Sequence, residues 1–144
     1  MQADVLLRVR FADCDPQNVV FNARYADYVD VASTEYLRGL CGGYDKLEAQ
    51  GFATQVVNLN IDWHSSAQFD DVLLLSMQCE HIGNSSFTLM CSMMRHEDST
   101  PIATARVVYV FMDSTATTKC NVPDWMRAAL SQKKVHGPVN MAGL

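Results

Sequence analysis

The chain has 144 residues, 49% of them hydrophobic, and a formal charge of −5, so one domain can bury a core without staples. The acidic balance and the absence of a basic run argue against a nucleic-acid or membrane-surface partner, and no apolar run approaches a membrane span. Five cysteines without a Cys-x-x-Cys spacing argue against a disulfide scaffold or a zinc knuckle.

Met1-Gln2-Ala3-Asp4 has neither a basic n-region nor an apolar h-region, so no signal peptide is expected and the chain reads as cytoplasmic. Val5 to Phe11 alternates, with Leu7, Val9 and Phe11 on one face and Arg8 and Arg10 on the other, which predicts a strand. Asp13-Cys14-Asp15-Pro16-Gln17-Asn18 reads as an acidic turn. Asp13 serves as a turn carboxylate, Pro16 fixes the backbone after Asp15, and Asn18 tolerates a left-handed conformation. The acidic neighbours of Cys14 disfavour its thiolate.

From Asn22 onward, Tyr25, Tyr28/Val29, Ala32, Tyr36 and Leu40 recur at helical spacing. They predict a helix over Asn22–Leu40, stopped by Gly39 and the Gly42-Gly43 pair. A carboxylate therefore arrives a few residues before a helix N-terminus, where free backbone N–H groups gather. That combination can run acyl-transfer chemistry. Glu35, inside the helix, reads as a solvated residue.

Gly43 to Gly51 predicts a short helix anchored by Leu47. Val57, Leu59, Ile61 and Trp63 then alternate with Asn58, Asn60, Asp62 and His64, the cleanest period-two pattern in the chain. Asp70-Asp71 reads as the end of a loop. Strands follow over Val72–Ile82, Ser86–His96 and Ile102–Met112, separated by turns at Gly83-Asn84-Ser85 and Glu97–Pro101. Asp124 is an N-cap candidate for a closing helix to about Lys134, and Val135–Leu144, with Gly137-Pro138, reads as a loose tail.

These elements predict an α+β architecture, a five-stranded antiparallel sheet wrapped around one long helix. The helix would be about 28 Å long, close to the width of five strands, about 24 Å. Met90, Met94, Val72 and Leu74 give the outer face apolar content, which predicts oligomerisation. Met77, Met90, Met93, Met94 and Met112 read as sheet core. His64 lies on a polar strand face, His81 and His96 lie near strand ends, and no metal site is expected from their spacing. Ser86 reads as a strand-start hydroxyl, since no Gly-x-Ser-x-Gly elbow is present.

Phe11-Ala-Asp-Cys-Asp-Pro-Gln-Asn-Val-Val-Phe-Asn-Ala-Arg-Tyr25 resembles the signature of the 4-hydroxybenzoyl-CoA thioesterase-like branch of the hotdog-fold acyl-CoA thioesterases. Phe69-Asp70-Asp71-Val72-Leu73 resembles that family's approach to the third strand, and Gly83-Asn-Ser-Ser-Phe87 its turn into the fourth. The resemblance covers roughly residues 5 to 112. It implies a single hotdog domain over 1–144, a homodimer or dimer of dimers, an acyl-thioester site between subunits, and no cofactor. It makes Asp15 the catalytic carboxylate, attacking the thioester or activating water, and Asn22 the site of the N–H that polarises the carbonyl. Asn18, Val19, Ala23, Tyr25, Asp71 and Ser86 fall to substrate binding.

Three positions depart from the family pattern. Asn18 stands where Gly is usual, Asn22 where His or Tyr is frequent, and the turn before Ser86 lacks basic residues that some relatives direct at CoA phosphates. Lys133-Lys134 is the adjacent basic pair left for that role. The expected activity is acyl-CoA hydrolysis. The alternatives are cleavage of an acyl carrier protein thioester, and a hotdog module that binds acyl thioesters or proteins without hydrolysis.

Overall fold

The computed structural model describes residues 1–144. In chain order the elements are β1 (Gln2–Arg8), a 3-10 turn (Phe11–Asp13), α1 (Arg24–Cys41), α2 (Tyr44–Ala49), β2 (Phe52–Trp63), β3 (Val72–Ile82), β4 (Ser86–Arg95), β5 (Pro101–Asp113), α3 (Asp124–Ser131) and β6 (Val135–Met141). The strands make one sheet in the order β2-β5-β4-β3-β1-β6. Every pairing is antiparallel except β1 with β6.

Alternation along the strands builds the core, because successive side chains leave opposite faces. Leu73, Leu75 and Met77 of β3, Leu89, Cys91 and Met93 of β4, and Ala103, Ala105 and Val107 of β5 are buried beneath α1. Tyr25, Tyr28, Val29, Ala32 and Tyr36, at the spacing expected from the sequence, turn from the helix onto that face. Gly42, at φ +92, takes the left-handed position that ends α1, and its N–H donates to the Arg38 carbonyl.

The ladders divide the molecule into two ends. Arg8 lies opposite Val72, Leu73 opposite Arg95, and Trp63 opposite Ala103. The start of α1 is fastened at this end: Val20 N–H donates to the Ala67 carbonyl, and the Tyr25 ring meets Trp63 edge-on at 6.1 Å. The opposite end holds the turn before Ser86, the end of α1 and the start of β6.

Several expectations are corrected. The sheet has a sixth strand, from the segment read as a loose tail, and that strand runs parallel to β1. Gly137-Pro138 argues against a strand from the sequence, but β6 is an edge strand, where proline is tolerated. Its pairing satisfies the otherwise open edge of β1. β1 ends at Arg8, so Val9 is buried but Phe11, expected on the same inward face, is 78% exposed. The chain bends there because Asp13 accepts the Arg10 backbone N–H, closing a turn.

In β2 the pairing slips between Val56 and Asn58. This bulge places Val57 out of phase with Leu59, Ile61 and Trp63, and moves Val56 onto the inner face opposite Tyr109. The closing helix stops at Ser131, its N-cap is Pro123, and Asp124 is its first helical residue. Glu35 is 6% exposed rather than solvated, and the Arg38 guanidinium supplies its counter-charge at 3.2 Å.

Candidate active site

The turn between β1 and α1 is held from both sides. Cys14 and Val20 form an antiparallel bridge, the Asp15 N–H donates to the Val19 carbonyl at 2.9 Å, and the Asn18 N–H donates to the Asp15 carbonyl at 3.0 Å. Asn18 has φ +62, the left-handed geometry that asparagine accepts more readily than most residues. The turn rests on the 67–71 loop through a Val19–Gln68 bridge and the bond from Val20 to Ala67.

The two aspartates of the turn have different surroundings. Asp13 is 1% exposed. It accepts the Arg10 backbone N–H at 3.0 Å, the Arg10 guanidinium at 2.9 Å and the Tyr28 hydroxyl at 2.9 Å. Burial alone would raise its pKa, but the bonds from Arg10 and Tyr28 outweigh burial and hold the carboxyl below its usual range. Asp15 is half-buried, and only its Oδ1 is engaged, by the Gln17 N–H at 2.8 Å. Its second oxygen makes no protein hydrogen bond. Between them, the Cys14 thiol is pushed up by burial first and then by the charges of Asp13 and Asp15, which makes it a poor nucleophile.

The helix begins at Arg24 rather than Asn22, with Ala23 as N-cap. The shift leaves the Asn22 residue in the connecting turn, where Phe21 N–H donates to the Asp13 carbonyl and Arg24 N–H to the Phe21 carbonyl. The N–H groups of Asn22 and Ala23 donate to no protein acceptor, as expected at a helix start. Both residues are exposed. A small cavity of about 250 Å³ opens beside them, lined by Val20, Asn22, Tyr25, Trp63 and the 64–66 segment. A second, of about 490 Å³, runs between the later half of α1 and the inner faces of β2, β4 and β5, with Asp30, Thr54, Val56 and Tyr109 on its walls. The smaller one adjoins the free N–H groups and is the one that fits the chemistry.

The expected site residues are thus only partly brought together. Asp15, Asn18, Val19, Asn22, Ala23 and Tyr25 belong to one turn and the first turn of α1. Tyr25 is 2% exposed, and its ring meets Tyr28 and Trp63 edge-on. Asp71 sits under the turn, where its Oδ2 accepts the Gln68 N–H at 2.9 Å and pairs with Arg95 at 3.3 Å. Ser86 begins β4 at the opposite end of the sheet, about 30 Å from Arg95 at the usual rise of a strand. Lys133 and Lys134 are also remote, in the link from α3 to β6, where the Lys134 carbonyl accepts the Gln2 N–H.

Sequence reasoning did not find Arg10 or Tyr28. The Arg10-x-x-Asp13 spacing carries a signal for a closed turn, whereas Tyr28 reads only as core until the fold brings its hydroxyl to Asp13.

Comparison with known proteins identifies the family and the fold. Residues 9–130 match the family model described as the thioesterase-like superfamily. The chain is 32% identical over 105 residues to the acyl-CoA thioesterase YbgC of Haemophilus influenzae, covering 72% of this chain and 77% of that protein. Among solved structures, a 4-hydroxybenzoyl CoA thioesterase mutant complexed with 4-hydroxybenzoyl CoA superposes with a TM-score of 0.82 at 22% identity, covering 90% of this chain and 99% of that one. The 1,4-dihydroxy-2-naphthoyl-CoA thioesterase from Synechocystis gives 0.81 at 19% identity, over 90% of this chain and 96% of that one. The structures share the hotdog fold, and the match over 9–130 extends through the Asp13–Tyr25 turn to α3. The chain belongs to the thioesterase-like superfamily.

Proposed function

We propose that the protein is an acyl-CoA thioesterase, a single hotdog domain in which Asp15 is the nucleophile or general base and the Asn22 and Ala23 N–H groups donate to the developing oxyanion. One observation carries this reading. A carboxylate with an uncommitted oxygen and a helix start with uncommitted N–H groups are joined in one clamped turn. The activity named for the Haemophilus relative supports the substrate class.

In the general-base route, Asp15 takes a proton from water, the hydroxide adds to the thioester carbonyl, and the negative charge settles on the oxygen facing the helix start. Collapse breaks the C–S bond and releases the CoA thiolate, which takes up the proton. In the nucleophilic route the Asp15 oxygen adds to the carbonyl, the C–S bond breaks, and water then cleaves the acyl–aspartyl anhydride. Asn18, Val19, Ala23 and Tyr25 surround the thioester in both, and Asp71 supports the floor beneath them.

The reading includes a two-fold dimer. β2 is an edge strand whose Val56, Val57, Leu59 and Trp63 are 40–59% exposed, a liability that pairing removes. Antiparallel pairing of two β2 edges would wall in the cavity beneath α1 and set Ser86 of the partner subunit at the Asp15 end. The five free cysteines support a reducing, cytoplasmic setting, and no helix is long and apolar enough to cross a membrane.

The test is a panel of acyl-CoA substrates assayed with a thiol reagent, with light scattering on the same preparation. CoA release and a dimer or tetramer are expected. No release from any acyl-CoA, with turnover of an acyl carrier protein thioester instead, would replace the carrier; no turnover of either would favour the binding module. Single turnover in ¹⁸O-water tests the nucleophilic route from one side: label found in Asp15 requires an anhydride opened at the aspartyl carbonyl, which the general-base route never forms.

A further inference from the structure

Asp13 contributes nothing to the walls of the cavity at the helix start, yet its bonds enclose the residues that face that cavity. Its backbone carbonyl accepts the Phe21 N–H at 2.9 Å, and its side chain accepts the Tyr28 hydroxyl at 2.9 Å. Asn22 and Ala23 lie between those two attachments. Asp15 is two residues further along from Asp13, tied to Val19 by its own N–H. One buried residue therefore holds the approach to α1 from below and the first turns of α1 from the side, with the reacting carboxylate on the same short segment. Arg10 closes the arrangement, occupying both carboxylate oxygens of Asp13 from its backbone and guanidinium.

We infer that Asp13 and Tyr28 are positioning residues for thioester hydrolysis: their hydrogen bond sets where the Asn22 and Ala23 N–H groups stand relative to Asp15. The inference rests on the thioesterase reading above and adds two residues that stand outside the walls of the cavity at the helix start and instead line a separate cavity of about 730 Å³ on the other side of the turn. Its physical basis is the steepness of catalysis with geometry. Donors contribute only when they point at the position the oxyanion will occupy, and a displacement of about 1 Å costs on the order of a hundredfold in rate. Tyr28 is suited to the task because it is 3% exposed and its ring packs edge-on against Tyr25 at 5.8 Å. A hydroxyl on a ring so confined has few other places to go. Burial first, and then the bond to Asp13, keep that hydroxyl protonated as a donor.

The testing variant is Tyr28→Phe, which keeps the ring and its packing and removes one hydrogen bond. The expected result is a fall in kcat of about tenfold, with KM for acyl-CoA within twofold and the melting temperature nearly unchanged. Amide hydrogen exchange should quicken at Phe21 and Arg24, whose N–H bonds fix the approach to the helix, and not in β3 or β4. Asp13→Asn, which also weakens the Arg10 contacts, should lower kcat further at the same KM; if it fails to fold, Tyr28→Phe decides alone. An active wild type whose Tyr28→Phe variant keeps full kcat overturns the inference and leaves the thioesterase reading standing. So does a variant whose loss lies only in melting temperature or only in KM. A wild type that hydrolyses no thioester overturns both.

Discussion

At the end of the sheet where α1 begins, polar groups are left without protein partners: the second oxygen of Asp15 and the N–H groups of Asn22 and Ala23. At the end where α1 finishes, Tyr36 Oη and His136 Nε2 also lack partners, but they are buried out of reach of a reacting molecule, and the connecting segments are bonded to the chain. Gly42 caps the helix through its N–H, and Arg127 donates to the carbonyls of Gly83 and Asn84 at 2.7 and 3.0 Å. Contact is also closer there: a Cβ on Gly39 would stand 2.6 Å from Cγ of His136, so β6 packs almost directly on the helix backbone. Polar groups held in place without partners are available to a reacting molecule, while saturated and tightly packed groups contribute stability. The two ends of one helix therefore divide chemistry from cohesion, and substitutions at each should change different observables.

The largest effect is expected from Asp15→Asn. The oxygen that accepts the Gln17 N–H remains, so the turn should fold, while turnover should fall by roughly 10²–10⁴-fold, the usual worth of a general base. Thiol release and thermal unfolding, measured on the same sample, check both halves. Wild-type turnover in this variant would erase the chemical distinction between the ends and favour the binding module.

Gly39→Ala tests the other end. In an exposed helix interior this change stabilises by about 1 kcal/mol, but against His136 it forces overpacking and should destabilise by about 1–3 kcal/mol. Denaturant midpoints should fall and kcat should stay close to wild type. A more stable variant would show that β6 is not seated on the helix.

Asp13 sharpens the comparison, since it is a saturated group at the reactive end. Its folded pKa lies below the unfolded value, so its contribution to stability is complete above about pH 3.9 and is lost as pH falls through the folded value. Asp13→Asn should lower the melting temperature at neutral pH and flatten its decline below about pH 4. Melting curves from pH 7 downward would expose an unchanged slope.

The smallest effect is expected from replacing Lys133 and Lys134 with Ala. They lie in the link between α3 and β6, off the helix that was expected to carry them, and KM for acyl-CoA should remain within a few-fold. A large rise, reversed with a pantetheine thioester lacking the nucleotide, would assign the CoA phosphates to this distant end through a second subunit.

Local chemistry made part of this legible in the sequence. The left-handed residue at Asn18, the helix carrying Tyr25, Tyr28, Ala32 and Tyr36, and the span Val72–Ile82 all depend on neighbours within a few positions, and each stands as expected. The pattern of the Asp13–Tyr25 turn likewise marked the family. Glu35 did not follow, because helical position alone says nothing about which outer surfaces other segments cover; it is buried beside Arg38.

Other features were settled only by contacts between distant parts of the chain. The bulge at Val57 exists because β2 and β5 must stay paired on either side of it, and a run of alternating residues cannot announce a slip in register. β6 is a strand because β1 had an unpaired edge, a long-range hydrogen-bonding demand that overrides its glycine and proline. The two aspartates carry the same residue type in one turn. Asp13 reads as a turn carboxylate already in the sequence, with Arg10 three residues away, but its burial and its bond to Tyr28 come from the fold; Asp15 is left with a free oxygen because no side chain reaches it. Periodicity and turn chemistry act over a few residues and are written in the sequence. Register, edge pairing and the assignment of a buried carboxylate depend on which distant groups arrive, and only the tertiary structure decides that.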